Sequence, residues 1–124
     1  MHFYQYMLYS KNKFGAAMTS AAGTREIGIY MTLFFEWDLE KGRKNLKTHG
    51  VSFDEASTTF GDPLAITIGD PLHSKGEQRY VLIGQSQQNR LLVVVHTERG
   101  DRIRIISSRL ATKKERCRYE ENEE

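Results

Sequence analysis

The sequence predicts an α+β fold: a small antiparallel sheet, mostly four-stranded, with two helices before it and one helix after it. Three observations carry this expectation. Four strand-like segments run in succession from Leu64 to Ser107, joined by short polar links that favour antiparallel neighbours. Two helical segments with capping signals precede that run, and a third follows it. Helices and strands are therefore segregated along the chain rather than alternating, which separates this pattern from a parallel α/β fold.

The elements follow in order. Residues 1–30 hold aromatics without a clean period and a small-residue stretch from Ala16 to Gly23, with no capping signals. They lack the continuous apolar core of a secretory signal. We read them as an N-terminal extension, with Met31 as a candidate natural start; the alternative is an arm packed through Phe3, Tyr4 and Tyr6. Residues 31–124 form the expected domain. "TLFFEW" reads as a strand, and Asp38 as the N-cap of the helix "LEKGRKNLKTH", which Gly50 ends in the manner of a left-handed C-cap. Ser52 and Glu55 form a capping box for a second helix from Phe53 to Phe60. "LAITI", "QRYVLIG", "RLLVVVHT" and "RIRIIS" are the four strands. "RLLVVVHT" is apolar on both faces and belongs in the middle of the sheet. Thr112 and Glu115 form a second capping box, opening a charged helix through about Tyr119. With all helices on one face, the other is left to bind something.

Composition bounds the function. The chain has 124 residues, 39% hydrophobic and 27% charged, an ordinary balance for one globular domain. A single cysteine, Cys117, excludes an internal disulfide framework. No apolar run approaches membrane-spanning length, so no membrane partner and a cytoplasmic location are expected. The body between residues 31 and 119 carries 15 basic against 11 acidic residues, ahead of an acidic tail, "EENEE". That fits a polyanionic ligand, though strong nucleic-acid binders are usually more basic. His2, His49, His73 and His96 have no metal-ligand spacing. No metal and no cofactor are expected. A G-x-S-x-G nucleophile motif and a phosphate-binding glycine loop are both absent from the sequence.

What remains is a basic constellation in and after the strand run: Arg79 with Glu77, Arg104, Arg109, and Lys113, Lys114, Arg116 and Tyr119 on the last helix. One reaction suits such a set without metal or cysteine: RNA cleavage by the substrate's own 2′-hydroxyl. The protein then needs cations for the crowded phosphate and groups that move protons. The blander reading makes these arginines solubilising charges on an edge strand and a solvated helix face. His96, at the end of a central strand, is either a general base or a structural histidine. His49 sits where it can meet the last carbonyls of its helix.

The segments "FEWDLEKGRKNLKTHGVSFDEA", "FGDP", "EQRYVLIGQS", "RIISSR" and "ATKKERCRYE" resemble the BrnT family of bacterial type II toxins, across essentially all of residues 31–124. Two departures are Thr48, where the family pattern has lysine, and Ser108, where alanine is usual. The resemblance implies a RelE-like ribonuclease that cuts RNA and inhibits translation. It implies a cognate BrnA-like antitoxin with a ribbon-helix-helix region, and operator DNA contacted only through that complex. On this reading Arg79, Arg104 and Arg109 hold phosphate, and Glu77, His96 or Tyr119 transfer protons. Lys41, Lys47, His49, Lys113 and Arg116 complete the RNA-binding set. The alternative is a catalytically inactive RelE-like module that binds an antitoxin or nucleic acid without cutting.

Overall fold

The computed structural model describes residues 2–12, 15–18, 29–70, 76–100 and 102–121. Strands β1 (His2–Asn12), β2 (Gly15–Met18) and β3 (Ile29–Asp38) come first, then helices α1 (Leu39–His49) and α2 (Phe53–Thr58) and a 3-10 turn at Thr59–Gly61. Strands β4 (Ile66–Gly69), β5 (Arg79–Gln85), β6 (Leu91–Arg99) and β7 (Arg102–Leu110) follow, and α3 (Lys113–Glu121) closes the chain. Among the described residues, no helix is long and apolar enough to cross a membrane.

The helix ends follow the local signals. Asp38 accepts from the N–H groups of Glu40 at 2.8 Å and Lys41 at 3.2 Å, satisfying two donors of the first turn of α1. Gly50 takes φ 72°, open to glycine at no cost, and its N–H bonds the Leu46 carbonyl at 2.9 Å. The Thr112–Glu115 box closes in both directions, at 2.8 and 3.2 Å. The box at α2 closes only halfway. Ser52 Oγ takes the Glu55 N–H at 3.0 Å, but the Glu55 carboxylate turns inward to Ser86 Oγ at 2.7 Å and Arg90 Nε at 2.9 Å. A buried carboxylate gains more from a guanidinium than from a helix-end amide.

The sheet is larger than expected and mixed. Its order is β2-β1-β3-β7-β6-β5-β4. The run β4–β5–β6–β7 is antiparallel, as the short links require. β3, however, lies parallel to β7, with Phe34, Phe35 and Glu36 opposite Arg102, Ile103 and Arg104. The crossover through α1, α2 and the β4–β6 meander brings β7 back in the direction of β3, and nothing local to "TLFFEW" encodes that partner. On its other edge β3 pairs antiparallel with β1, from Ile29–Lys11 to Asp38–His2, and β2 extends β1. Residues that carried no strand signal thus supply two strands.

The helices also divide between the faces, instead of sharing one. On one side Val51, Phe53, Ala56 and Phe60 pack on Leu33, Phe35, Leu82, Leu92, Val94, Ile103 and Ile105. On the other, Tyr119 of α3 packs on Ile83, Leu91 and Val93. Alternation sends 82 and 83, and 93 and 94, to opposite faces, so the doubly apolar β6 serves two cores. Tyr119 also donates its hydroxyl to Asp62 Oδ2 at 2.7 Å. The same carboxylate takes the Leu64 N–H at 2.9 Å and the Gln85 N–H at 2.8 Å, tying α3 to the turn before β4 and to the end of β5.

Beyond Glu36 and Arg104 the two parallel strands part, because β3 turns into α1. Asn45 of α1 fills the gap. Its Nδ2 donates to the carbonyls of Ser108 at 2.7 Å and Val51 at 2.9 Å, and its Oδ1 accepts the Ser108 N–H at 3.1 Å. One buried amide thus does for Ser108 what a neighbouring strand would do. Asn45→Ala is expected to cost about 3 kcal/mol, since it orphans three buried backbone groups. Urea unfolding at constant slope measures this; a loss below about 0.5 kcal/mol would show that water replaces the amide.

Candidate nucleic-acid interface on the sheet

Cross-strand pairing sets the site. Arg79 of β5 lies opposite Thr97 of β6, and Thr97 opposite Arg104 of β7. Arg104 lies opposite Glu36 of β3. Directly paired residues point to the same face, so the four side chains form one row across four strands. They share the face of α3, which packs further along the same strands over Ile83, Leu91 and Val93. Arg102 lies next to the row, with Nη1 4.0 Å from Glu36 Oε2. Arg99 pairs with Arg102 across the hairpin, where Gly100 takes φ 62°.

The electrostatics of the row are uneven. Glu36 is 8% exposed and has arginines at two neighbouring positions. Thr97 is buried, and its Oγ1 has no hydrogen-bond partner among the described residues. Arg104 is half-buried, and its guanidinium makes no hydrogen bond or ion pair among the described residues. Arg99, by contrast, is held by Glu77, whose carboxylate raises the guanidinium pKa further.

The structure brings together only part of the expected set. Arg79 and Arg104 share the row, and Glu77 lies two residues before Arg79, paired to Arg99. Arg109 lies on the same face opposite Val93, but its fork is filled by Glu115, with two bonds of 2.8 Å. Tyr119 is buried under α3, at the Ile83 level, roughly 13 Å along β5 from Arg79 at 3.3 Å per residue. His96 is on the opposite face altogether. It is fully buried between Phe60 and Tyr80, with ring centroids 4.8 and 5.8 Å away, and its Nε2 lies 2.9 Å from Glu98 Oε2. Burial pushes its pKa below the ordinary histidine value, which Glu98 offsets in part. Strand parity separates it from Thr97 and therefore from both arginines.

The expected RNA-binding residues also fall on two sides. Lys113 and Arg116 are exposed on α3. Lys41 and His49 line a shallow 210 Å³ depression on α1 with Lys44, Thr48 and Ile106, and Lys47 is exposed elsewhere on the same helix. Sequence reasoning assigned no role to Glu36 or Arg102 among the candidate site residues. Arg102 was visible in the alternation of "RIRI"; Glu36 becomes a neighbour of Arg104 only through the parallel pairing. Among the described residues, no three His, Cys, Asp or Glu side chains gather into a group able to hold a metal ion.

Fold and site together define a small α+β protein with an arginine-lined row on an otherwise helix-packed sheet. Residues 37–115 match the family described as the ribonuclease toxin, BrnT, of type II toxin–antitoxin systems, and the chain belongs to that family. Such a toxin has a cognate antitoxin as partner. Among solved structures, the Brucella abortus ribonuclease toxin BrnT is similar, with 22% identity and a TM-score of 0.49 over 62% of this chain and 94% of that one. No curated protein matches.

The Arg109–Glu115 fork makes a testable contribution to stability. Arg109 and the Thr112 amide hold the Glu115 carboxyl at about 2, down from 4.5. A pKa lowered on folding stabilises above the unfolded value and loses that stabilisation as pH falls towards the folded one. The stability gap between the protein and Glu115→Gln is therefore expected to narrow steadily from about pH 4.5 to about 2. Denaturant titrations across that range check it; a constant gap would mean that the fork adds nothing beyond its hydrogen bonds.

Proposed function

We propose that this chain is a metal-independent endoribonuclease toxin whose cleavage of RNA inhibits translation. The observation that carries the reading is the Glu36–Arg104–Thr97–Arg79 row. It sets an arginine with no protein partner among the described residues beside a carboxylate on one sheet face. The substrate's 2′-hydroxyl is the nucleophile. Arg104 and Arg79 hold the phosphate, whose charge grows in the transition state, so their contribution is larger there than in the ground state. Glu36, next to Arg104 in the row, takes or returns a proton. Glu77 at the row's margin is the second carboxylate available for that role. The α3 cations Lys113 and Arg116, on the same side of the sheet as the row, extend the phosphate track.

The partner in this reading is a BrnA-like antitoxin with a ribbon-helix-helix region. It covers the arginine row and alone carries the pair to operator DNA. Electrostatic complementarity between acidic antitoxin residues and the row sets register and association rate.

Arg104→Ala is expected to slow single-turnover cleavage of a model RNA about 100-fold, the scale of losing one preorganised donor. Binding of the 2′-deoxy, uncleavable RNA should weaken far less, because one phosphate contact among several is lost. Arg104→Lys should rescue only in part, keeping charge but not the fork. A chelator should change nothing. Equal cutting of the deoxy substrate would remove the substrate-assisted mechanism, and wild-type rates in Arg104→Ala would return the arginines to a solubilising role.

We also propose that residues 31–124 are the functional unit, since the family match lies within them. A chain starting at Met31 is expected to melt cooperatively and to cleave at the rate of the longer form. Loss of the cooperative transition would make the β1–β2 arm an obligatory part of the sheet.

A further inference from the structure

We propose that the antitoxin anchors by adding an extended strand to the free edge of β4, seating alternate apolar side chains in the groove between the sheet and α3. This rests on the reading of the chain as the toxin of a pair, and it concerns a surface separate from the Arg104 row.

Among the described residues β4 ends the sheet and pairs with β5 alone. The Asp70 N–H donates to the Arg79 carbonyl at 2.9 Å. Counting back along an antiparallel ladder, Ile68 and Ile66 also turn their backbone groups to β5, and Thr67 and Gly69 turn theirs outward. Both are exposed, and neither has a hydrogen-bond partner among the described residues. Edge strands are usually blunted by a charge, a proline or a bulge. "ITIG" has no charge and no proline, and its register with β5 is regular. It is an edge left ready for strand addition, the mode in which main-chain bonds give affinity and pockets for alternate side chains give specificity.

Such a pocket lies beside it. A 560 Å³ groove has a floor of Ile68, Val81 and Ile83 and a wall from α3 that includes Lys114 and Arg118. A strand laid along β4 would project every second side chain over this floor. The wall also carries Glu121, and Glu115, whose charge is already met by Arg109. What remains favours a segment with net negative charge. A second copy would bring Lys114 and Arg118 against their own equivalents, so like charges oppose self-pairing. Val81 is two residues from Arg79 on the same face, so an anchored acidic segment is in line to reach the arginine row.

Amide hydrogen exchange on the purified complex with the antitoxin tests this. The Thr67 and Gly69 amides should slow at least about tenfold on complex formation, while Ile66 and Ile68, already bonded to β5, change little. In a second arm, Thr67→Pro removes an outward N–H that β5 does not use, a change edge strands tolerate, and Ile68→Glu charges the groove floor. Each should weaken antitoxin binding at least about tenfold, with cooperative melting retained. Unchanged exchange at Thr67 and Gly69 would overturn the proposal. So would a free toxin that sediments as a dimer and is split by Thr67→Pro, since the edge would then belong to a second copy. Slowed amides in a chain that cuts no RNA would support the docking mode and refute only the catalytic reading.

Discussion

The three-residue parallel contact between β3 and β7 is the constraint on which the rest depends. It joins the first helical half of the domain to the antiparallel run. It places Glu36 against Arg104, completing a row that crosses four strands. It also ends early, and that ending creates the gap that Asn45 fills. Shifting β3 by one residue would send Phe35 out of the core and put Phe34 in its place, which is 37% exposed as it stands. The apolar alternation of "LFFEW" therefore fixes the position of a carboxylate in the site. Packing and the make-up of the row are set by one register.

Much of this was legible in the sequence because its signals were local. Asp38, Gly50 and the Thr112–Glu115 box all sit where their side chains act within four residues. The central place of β6 followed from apolar residues at consecutive positions. Long-range facts were not legible. Nothing near Phe34 names Arg102 as its partner, and nothing in "TKKERCRYE" says that α3 crosses to the other face. The pairing of β1 with β3 had no capping or turn signal to announce it. Only part of the expected set is brought together by the fold. Arg79 and Arg104 converge through pairing, whereas His96 was one residue out of phase with them. Strand parity alone would have placed it on the far face.

The arginines also sort by what they already hold. Arg90 is bound to Glu55 and the Gly50 carbonyl, linking α2 to the β5–β6 turn. Arg109 is bound to Glu115, and Arg99 to Glu77. Each of these guanidiniums has its fork or charge met inside the protein, and each shows a raised pKa for that reason. Arg104 shows no such partner. Sequence composition cannot separate the two groups, because a bound and an unbound arginine look alike until the fold supplies the carboxylate.

Asp62 has a consequence for how the molecule comes apart. A single carboxylate holds the Tyr119 hydroxyl, the Gln85 amide and the Leu64 amide. α3 is otherwise polar, with Tyr119 as its buried residue, so its attachment rests on that ring, the Tyr119–Asp62 hydrogen bond and, at its first turn, the Arg109–Glu115 fork. The α1–α2 layer packs without it, on the opposite face of the sheet. An opening of α3 would bare Ile83, Leu91 and Val93 while leaving the strand pairings of the arginine row in place. A cut between Leu110 and Lys113 would likewise leave behind a sheet that is paired but sticky.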